Sequence, residues 1–143
     1  MFSNASKYAI KAAIFLALHT DNNCKITVKE IAESINVPQA YIAKLLQELS
    51  RKNVISSAKG PKGGFFVSEA NKKIPLIQII TALNAGERMD ECLLSLDKCD
   101  TEKPCPLHKF AYPLRSQLIA NLSKKTIGEI SDEVTKGKAF LPL

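Results

Sequence analysis

Residues 27–68 read TVKEIAESINVPQAYIAKLLQELSRKNVISSAKGPKGGFFVS. Thr27 with Glu30 three residues later is a capping-box pattern, in which hydroxyl and carboxylate satisfy each other's backbone N–H groups at a helix start. Ile31, Ala32 and Ile35 give that helix an apolar stripe. Asn36-Val37 makes a turn. Pro38 then falls in the first turn of a second helix, where its missing N–H has no partner to lose. Ile42, Leu45, Leu46 and Leu49 point one way from this second helix. Gln39, Ala40, Ala43, Lys44 and Gln47 lie mostly on the other side. Val54-Ile55-Ser56-Ser57 and Phe65-Phe66-Val67-Ser68 read as short strands. Between them runs Ala58-Lys59-Gly60-Pro61-Lys62-Gly63-Gly64, a glycine-rich hairpin tip carrying two lysines. Two helices, a tight turn and a basic hairpin predict a mainly α fold, a winged helix-turn-helix with a two-stranded wing.

Upstream, residues 4–19 form another helix, with Tyr8, Ala12, Phe15 and Leu16 on one face. Its apolar run holds Lys7 and Lys11 and lacks a following small-residue cleavage site. It therefore reads as an amphipathic helix and not as a secretory signal. No uncharged apolar run is long enough to span a bilayer, so the expected setting is cytoplasmic, without a membrane partner. Downstream, Leu76, Ile79, Ile80 and Leu83 make a helix entered near Pro75 and stopped near Gly86. From Leu107 to Ile130 one long helix is predicted, with Leu114, Leu118, Ile119 and Leu122 as its stripe and Pro113 in its first turns or at a kink. The rest of one chain has little left to cover that stripe, whereas a second copy has. The organisation expected is a DNA-reading domain over 1–83, a cysteine-rich loop over 84–106, a dimerisation helix over 107–131 and a loose tail over 132–143.

The charge is uneven. Residues 1–75 hold 11 Lys/Arg against 5 Asp/Glu, whereas residues 87–105 hold 3 against 6. The basic first half is where a polyanion would bind. Gln39, Ala40, Tyr41, Ala43 and Lys44 are the candidates for a major-groove face, since Gln reads adenine bidentately and Lys takes guanine or phosphate. Lys59, Gly60, Lys62 and Gly63 are the wing candidates, the lysines to enter or border a minor groove or hold phosphates and the glycines for close backbone approach. Ser6, Lys7 and Tyr8 are further candidates for the DNA backbone.

Cys92, Cys99, Cys105 and His108 follow as C-x6-C-x5-C-x2-H. Thiolates plus imidazole suit soft metals and iron–sulfur clusters, and Cys3His is equally a zinc set. Spacing alone leaves both open, together with a metal-free thiol switch. Cys24 reads as an incidental thiol, and His19 as a helix-end or solvated side chain. No nucleotide-binding fingerprint or catalytic constellation appears: the glycine-rich stretch sits in a hairpin and does not open a helix. A redox carrier and a DNA-free interaction module remain the rivals from other classes.

Ile31-Ala32, Val37-Pro38-Gln39-Ala40-Tyr41-Ile42, Leu45-Leu46, Leu49 and the wing Ser57 to Phe65 together resemble the Rrf2 family of bacterial winged-helix regulators. Lys7-Tyr8-Ala9 and Thr126-Ile127-Gly128-Glu129-Ile130 also fit. The resemblance implies a homodimer joined through C-terminal helices and bound to pseudo-palindromic double-stranded promoter DNA. It also implies an iron–sulfur cluster on Cys92, Cys99 and Cys105, [2Fe–2S] by preference, with [4Fe–4S] and zinc as alternatives. In the IscR-type branch a histidine three residues after the last cysteine is the fourth ligand, which His108 matches. The branch that takes an aspartate before Tyr-Ala is disfavoured, because Lys7 stands there and an ammonium has no lone pair to give. Two departures stand out: one extra residue between the first two cysteines, and Ala111 where an aromatic commonly follows the histidine.

Overall fold

A computed structural model describes residues 2–83, 89, 91–94 and 100–143. Helix α1 spans Asn4–His19, as its periodicity predicts, with Ser3 capping its start. Helices α2 (Val28–Ile35) and α3 (Gln39–Arg51) form the helix-turn-helix. The capping box at Thr27 is present in full: Glu30 accepts from the Thr27 N–H at 2.8 Å, and Thr27 Oγ1 accepts from the Glu30 N–H at 3.3 Å. Asn36 ends α2 in the left-handed region, φ 55°, a conformation Asn tolerates better than most side chains. Pro38 is the residue before α3 rather than inside its first turn.

Strands β1 (Ser56–Ala58) and β2 (Gly64–Phe66) pair antiparallel, with Ser57 opposite Phe65. β1 starts at Ser56 instead of Val54 and β2 stops at Phe66 instead of Ser68, while both run further into the tip, to Ala58 and from Gly64. Val54, Ile55 and Val67 belong to the core instead of to the hairpin ladder. An isolated bridge from Ile26 to Phe65 adds a third strand-like edge, with N···O distances of 3.0 and 2.8 Å. That approach demands Gly64: a Cβ there would lie 2.6 Å from the Ile26 carbonyl oxygen, and φ is +151°.

A four-residue helix, α4 (Glu69–Lys72), follows the wing and was not foreseen. Helix α5 is described over Ile77–Leu83, and the expected stop near Gly86 lies outside the described residues. The single helix expected from Leu107 to Ile130 is two helices, α6 (His108–Lys124) and α7 (Ile127–Thr135). The break has a local cause. Thr126 and Glu129 form a second complete capping box, and Lys125 and Thr126 turn extended to pair with the chain after α4. There Leu76 N–H donates to Lys125 O at 2.8 Å and Ile127 N–H to Ile74 O at 2.9 Å. Pro113 lies inside α6. The tail is less loose than expected: α7 runs on to Thr135, Gly137 follows at φ +72°, and Leu141 packs on the core.

The core gathers around α1, which packs against α2, α3, α5, α7 and β2. The one-sided stripe foreseen for α1 is therefore too narrow, since Ala9, Ala13, Ile14 and Ala17 are buried as well. Leu16, Ile31, Ile42, Leu46, Leu49, Ile55, Ile79 and Ile127 are among the largest aliphatic side chains sealed within it. Each such aliphatic side chain contributes about 1.5–3 kcal/mol on full burial.

Candidate DNA interface and metal-ligand segment

Burying Ile42, Leu45, Leu46 and Leu49 turns the opposite face of α3 outward. Gln39, Ala40, Tyr41 and Lys44 are exposed there, and Ala43 is half-buried beside them. No side chain caps the first turn of α3, so its leading N–H groups and the positive end of the helix dipole face outward near Gln39 and Ala40. Tyr41 is held by an edge-on contact with Tyr8 of α1, ring centroids 6.0 Å apart and planes at 86°. That contact fixes the head of α1 beside α3 and leaves Lys7 exposed next to it. Ser6 is fully buried, which removes it from the candidates for reaching a phosphate.

At the wing tip Lys59, Gly60, Pro61 and Lys62 are exposed, and a turn closes with Gly63 N–H donating to Gly60 O at 2.9 Å. The base of the wing is anchored at several points. Thr20 Oγ1 donates to Leu16 O and accepts from Val67 N–H at 2.9 Å, so one buried hydroxyl caps α1 and holds the end of β2. Ser50 and Ser57 hydroxyls lie 2.9 Å apart, joining the end of α3 to β1. Lys25 lies 5.3 Å over the Phe66 ring, adding a basic group on the wing's flank that the sequence reading passed over. Asn71 of α4 was passed over too. Its signal was Ser68-x-x-Asn71, a capping box written with Asn in place of Glu.

The carboxylates shifted among the described residues are held by local backbone N–H groups. Glu30 and Glu129 are held below the usual carboxylate range by the backbone N–H groups of Thr27 and Thr126, and Asp21 by those of Asn23 and Cys24. They mark helix starts and a loop rather than catalysis.

In the cysteine segment, Cys92 is 7% exposed and its sulfur accepts from the Leu94 N–H at 3.4 Å. The adjoining Glu91 carbonyl accepts from the Arg115 guanidinium, which straps this segment to α6. Cys105, a half-buried free thiol, and His108 share the turn that starts α6, the His108 N–H donating to Cys105 O at 3.0 Å. The His108 ring stacks on Tyr112, centroids 4.7 Å apart and planes at 15°. An aromatic at the fourth position thus takes up the ring contact that Ala111, at the third, cannot make. Cys99 lies outside the described residues, and among the described residues no three His, Cys, Asp or Glu side chains are grouped closely enough to hold a metal. The donor types nonetheless suit one: Cys105 and His108 on one turn, with Cys92 strapped to the same helix. Cys24 is exposed in the loop after α1, its Sγ donating to His19 O at 3.6 Å, and His19, at the end of α1, packs on Phe15 with ring centroids 4.6 Å apart. No helix among the described residues is long and apolar enough to cross a membrane.

A helix-turn-helix followed by a two-stranded basic wing defines the winged-helix class of DNA-binding transcriptional regulators. The family model described as "Rrf2: Iron-dependent Transcriptional regulator" matches residues 2–133, and the chain belongs to that family. A relative from Aquifex aeolicus, named for an HTH-type transcriptional regulator, is 36% identical over 120 residues, covering 82% of each chain. The HTH-type transcriptional regulator IscR of Photobacterium profundum is 24% identical over 128 residues, covering 90% of this chain and 73% of that one. Among solved structures, the global cysteine regulator CymR of B. subtilis superposes with TM-score 0.74 at 17% identity, over 92% of this chain and 96% of that one. IscR of T. potens gives 0.71 at 17% identity, over 97% and 91%. The chain is accordingly a transcriptional regulator and not an enzyme.

Proposed function

We propose that this regulator senses an iron–sulfur cluster and binds a pseudo-palindromic promoter as a homodimer. Gln39, Ala40, Tyr41, Ala43 and Lys44 enter the major groove, and Lys59, Gly60, Lys62 and Gly63 lie along the flanking backbone. Cys92, Cys99, Cys105 and His108 are the ligands, with a [2Fe–2S] cluster the best match to three thiolates and one imidazole. The observation that supports the reading is the place of Cys105 and His108. Cys105 and His108 sit at the head of α6, which buries no side chain, exposes Phe110 and Leu114 at 63% and 67%, and is fastened at its far end to the DNA-reading body. A second copy packed on α6 covers those side chains and sets the spacing of the two α3 helices. When bound, the cluster supplies an oxidation- and supply-sensitive tie across the segment leading into α6. The chain's own residues do the remainder: Arg115 holds the Glu91 backbone, Tyr112 holds the His108 ring, and the Lys125–Ile127 pairing passes the position of α6 to the reading body.

Purification without oxygen from iron-replete cells tests this. The expected product is brown or red, with matching iron and sulfide. Cys92→Ala, Cys99→Ala and Cys105→Ala each lose the visible absorbance, and His108→Ala keeps an altered or labile one. Colourless, iron-free wild-type protein overturns the cluster. Colourless protein with one zinc per chain supports the alternative that the Cys3His donor set itself favours, a zinc-bound repressor answering another signal.

A further inference from the structure

Asn71 is a polar side chain only 5% exposed, and nothing about DNA reading or metal binding has so far required it. Its amide is used in four directions. Oδ1 accepts from Ser56 Oγ at 2.8 Å, from Ser68 N–H at 2.9 Å and from Ser68 Oγ at 2.8 Å. Nδ2 donates to Asn53 O at 3.1 Å. Ser56 opens β1 of the wing, Asn53 is the left-handed residue (φ 59°) that follows α3, and Ser68 caps α4. One side chain therefore joins the wing, the exit of the reading helix and α4. The chain just beyond α4 is where α6 delivers its end: Ile74 and Leu76 hold Ile127 and Lys125, and Gly128 approaches Lys72 so closely that a Cβ there would be 3.0 Å from Lys72 Cβ.

We infer that Asn71 is a positioning residue that locks the wing to the reading helix on the platform where α6 arrives, so that the wing lysines grip DNA only while Asn71 holds them in register. The inference rests on the wing contacting DNA, as proposed above. A buried amide with its donor and acceptors engaged fixes relative orientation more strictly than apolar packing does, because each bond is directional.

A double-mutant cycle with the full-length chain and a labelled 30-base-pair duplex of mixed sequence separates positioning from mere stability. In the wild-type background, replacing Lys59 and Lys62 with Ala together weakens binding about tenfold and flattens the salt slope. In an Asn71→Ala background the same pair costs less than about threefold, since the wing has already lost its register. Ser56→Ala removes only the wing arm of the clamp and shrinks the lysine effect in the same direction, which keeps the test decisive should Asn71→Ala fail to fold. An equal lysine effect in the wild-type, Asn71→Ala and Ser56→Ala chains overturns the inference while sparing the wing. No lysine effect in the wild-type chain overturns the wing reading itself, and the inference with it.

Discussion

Helices α3 and α6 carry similar patterns and meet different fates. Each has an apolar stripe at three- and four-residue steps, over 13 and 17 residues. The stripe of α3 is sunk against α1, α2 and α5, and every large aliphatic in it is buried. The stripe of α6 stays partly open: Leu118, Ile119 and Leu122 are half-buried, Leu122 against the core, and Leu114 with the neighbouring Phe110 is largely exposed. Periodicity states which face of a helix will be buried, but not by what. For α3 the cover lies within the same polypeptide. For α6 the cover proposed above is a second copy of the chain, and Cys92, Cys105 and His108, three of the proposed ligands, lie beside the head of that helix.

Charging the open face should give the largest effect. Phe110→Glu with Leu114→Glu places two carboxylates at the proposed seam, at a cost of several kcal/mol. Sedimentation should change from dimer to monomer at micromolar concentration while the far-ultraviolet helix signal stays. A wild-type chain that already sediments as a monomer would break the contrast outright.

Next comes a sharpening of the same contrast inside that monomeric variant. Leu46→Ala should lower its unfolding free energy by about 2–5 kcal/mol in urea titration, through lost transfer energy and a cavity. Leu118→Ala, at a half-buried position of α6, should cost clearly less, about 1 kcal/mol. Comparable losses would mean that α6 is packed in the monomer after all.

The smallest expected effect concerns the two capping boxes, one starting α2 in the body and one starting α7 just past α6. Glu30 and Glu129 have folded pKa values below their ordinary 4.5. Their contribution to stability is thus complete above that value and fades as pH falls through the lower folded values. Thermal midpoints should be flat above pH 6 and decline below about pH 4.5. Glu30→Gln with Glu129→Gln should make the acid decline shallower, because glutamine keeps the cap and does not titrate. An unchanged decline would show that other carboxylates govern it.

Much of this was readable beforehand, and the misses have causes. The bounds of α1, the box at Thr27 and the glycine-lysine wing follow from local chemistry, and the structure contains them. The division of the last helix was written in Thr126-x-x-Glu129, the same signal as Thr27-x-x-Glu30, yet continuing apolar periodicity masked it. Helix α4 was missed because four residues are too few to show a period. Thr20 and Asn71 were missed for another reason: their partners lie 47 residues away for Thr20, and 15 and 18 for Asn71. Ser6 shows the reverse error, a small polar residue placed at the surface by its chemistry and sealed by its neighbours.

By itself the sequence determined the first helix, the helix-turn-helix, the basic wing that follows it and the donor types of the cysteine segment. Capping, turn geometry and charge act over a few residues, so a string of letters contains them. Tertiary structure alone decided that α7 seals Ile127 in the core while α6 reaches it with a half-buried Leu122, that Ser6 is lost to the surface, and that one buried amide joins wing, reading helix and α4. Those outcomes depend on which distant groups meet, and a directional bond or a sealed cavity exists only once both partners are in place.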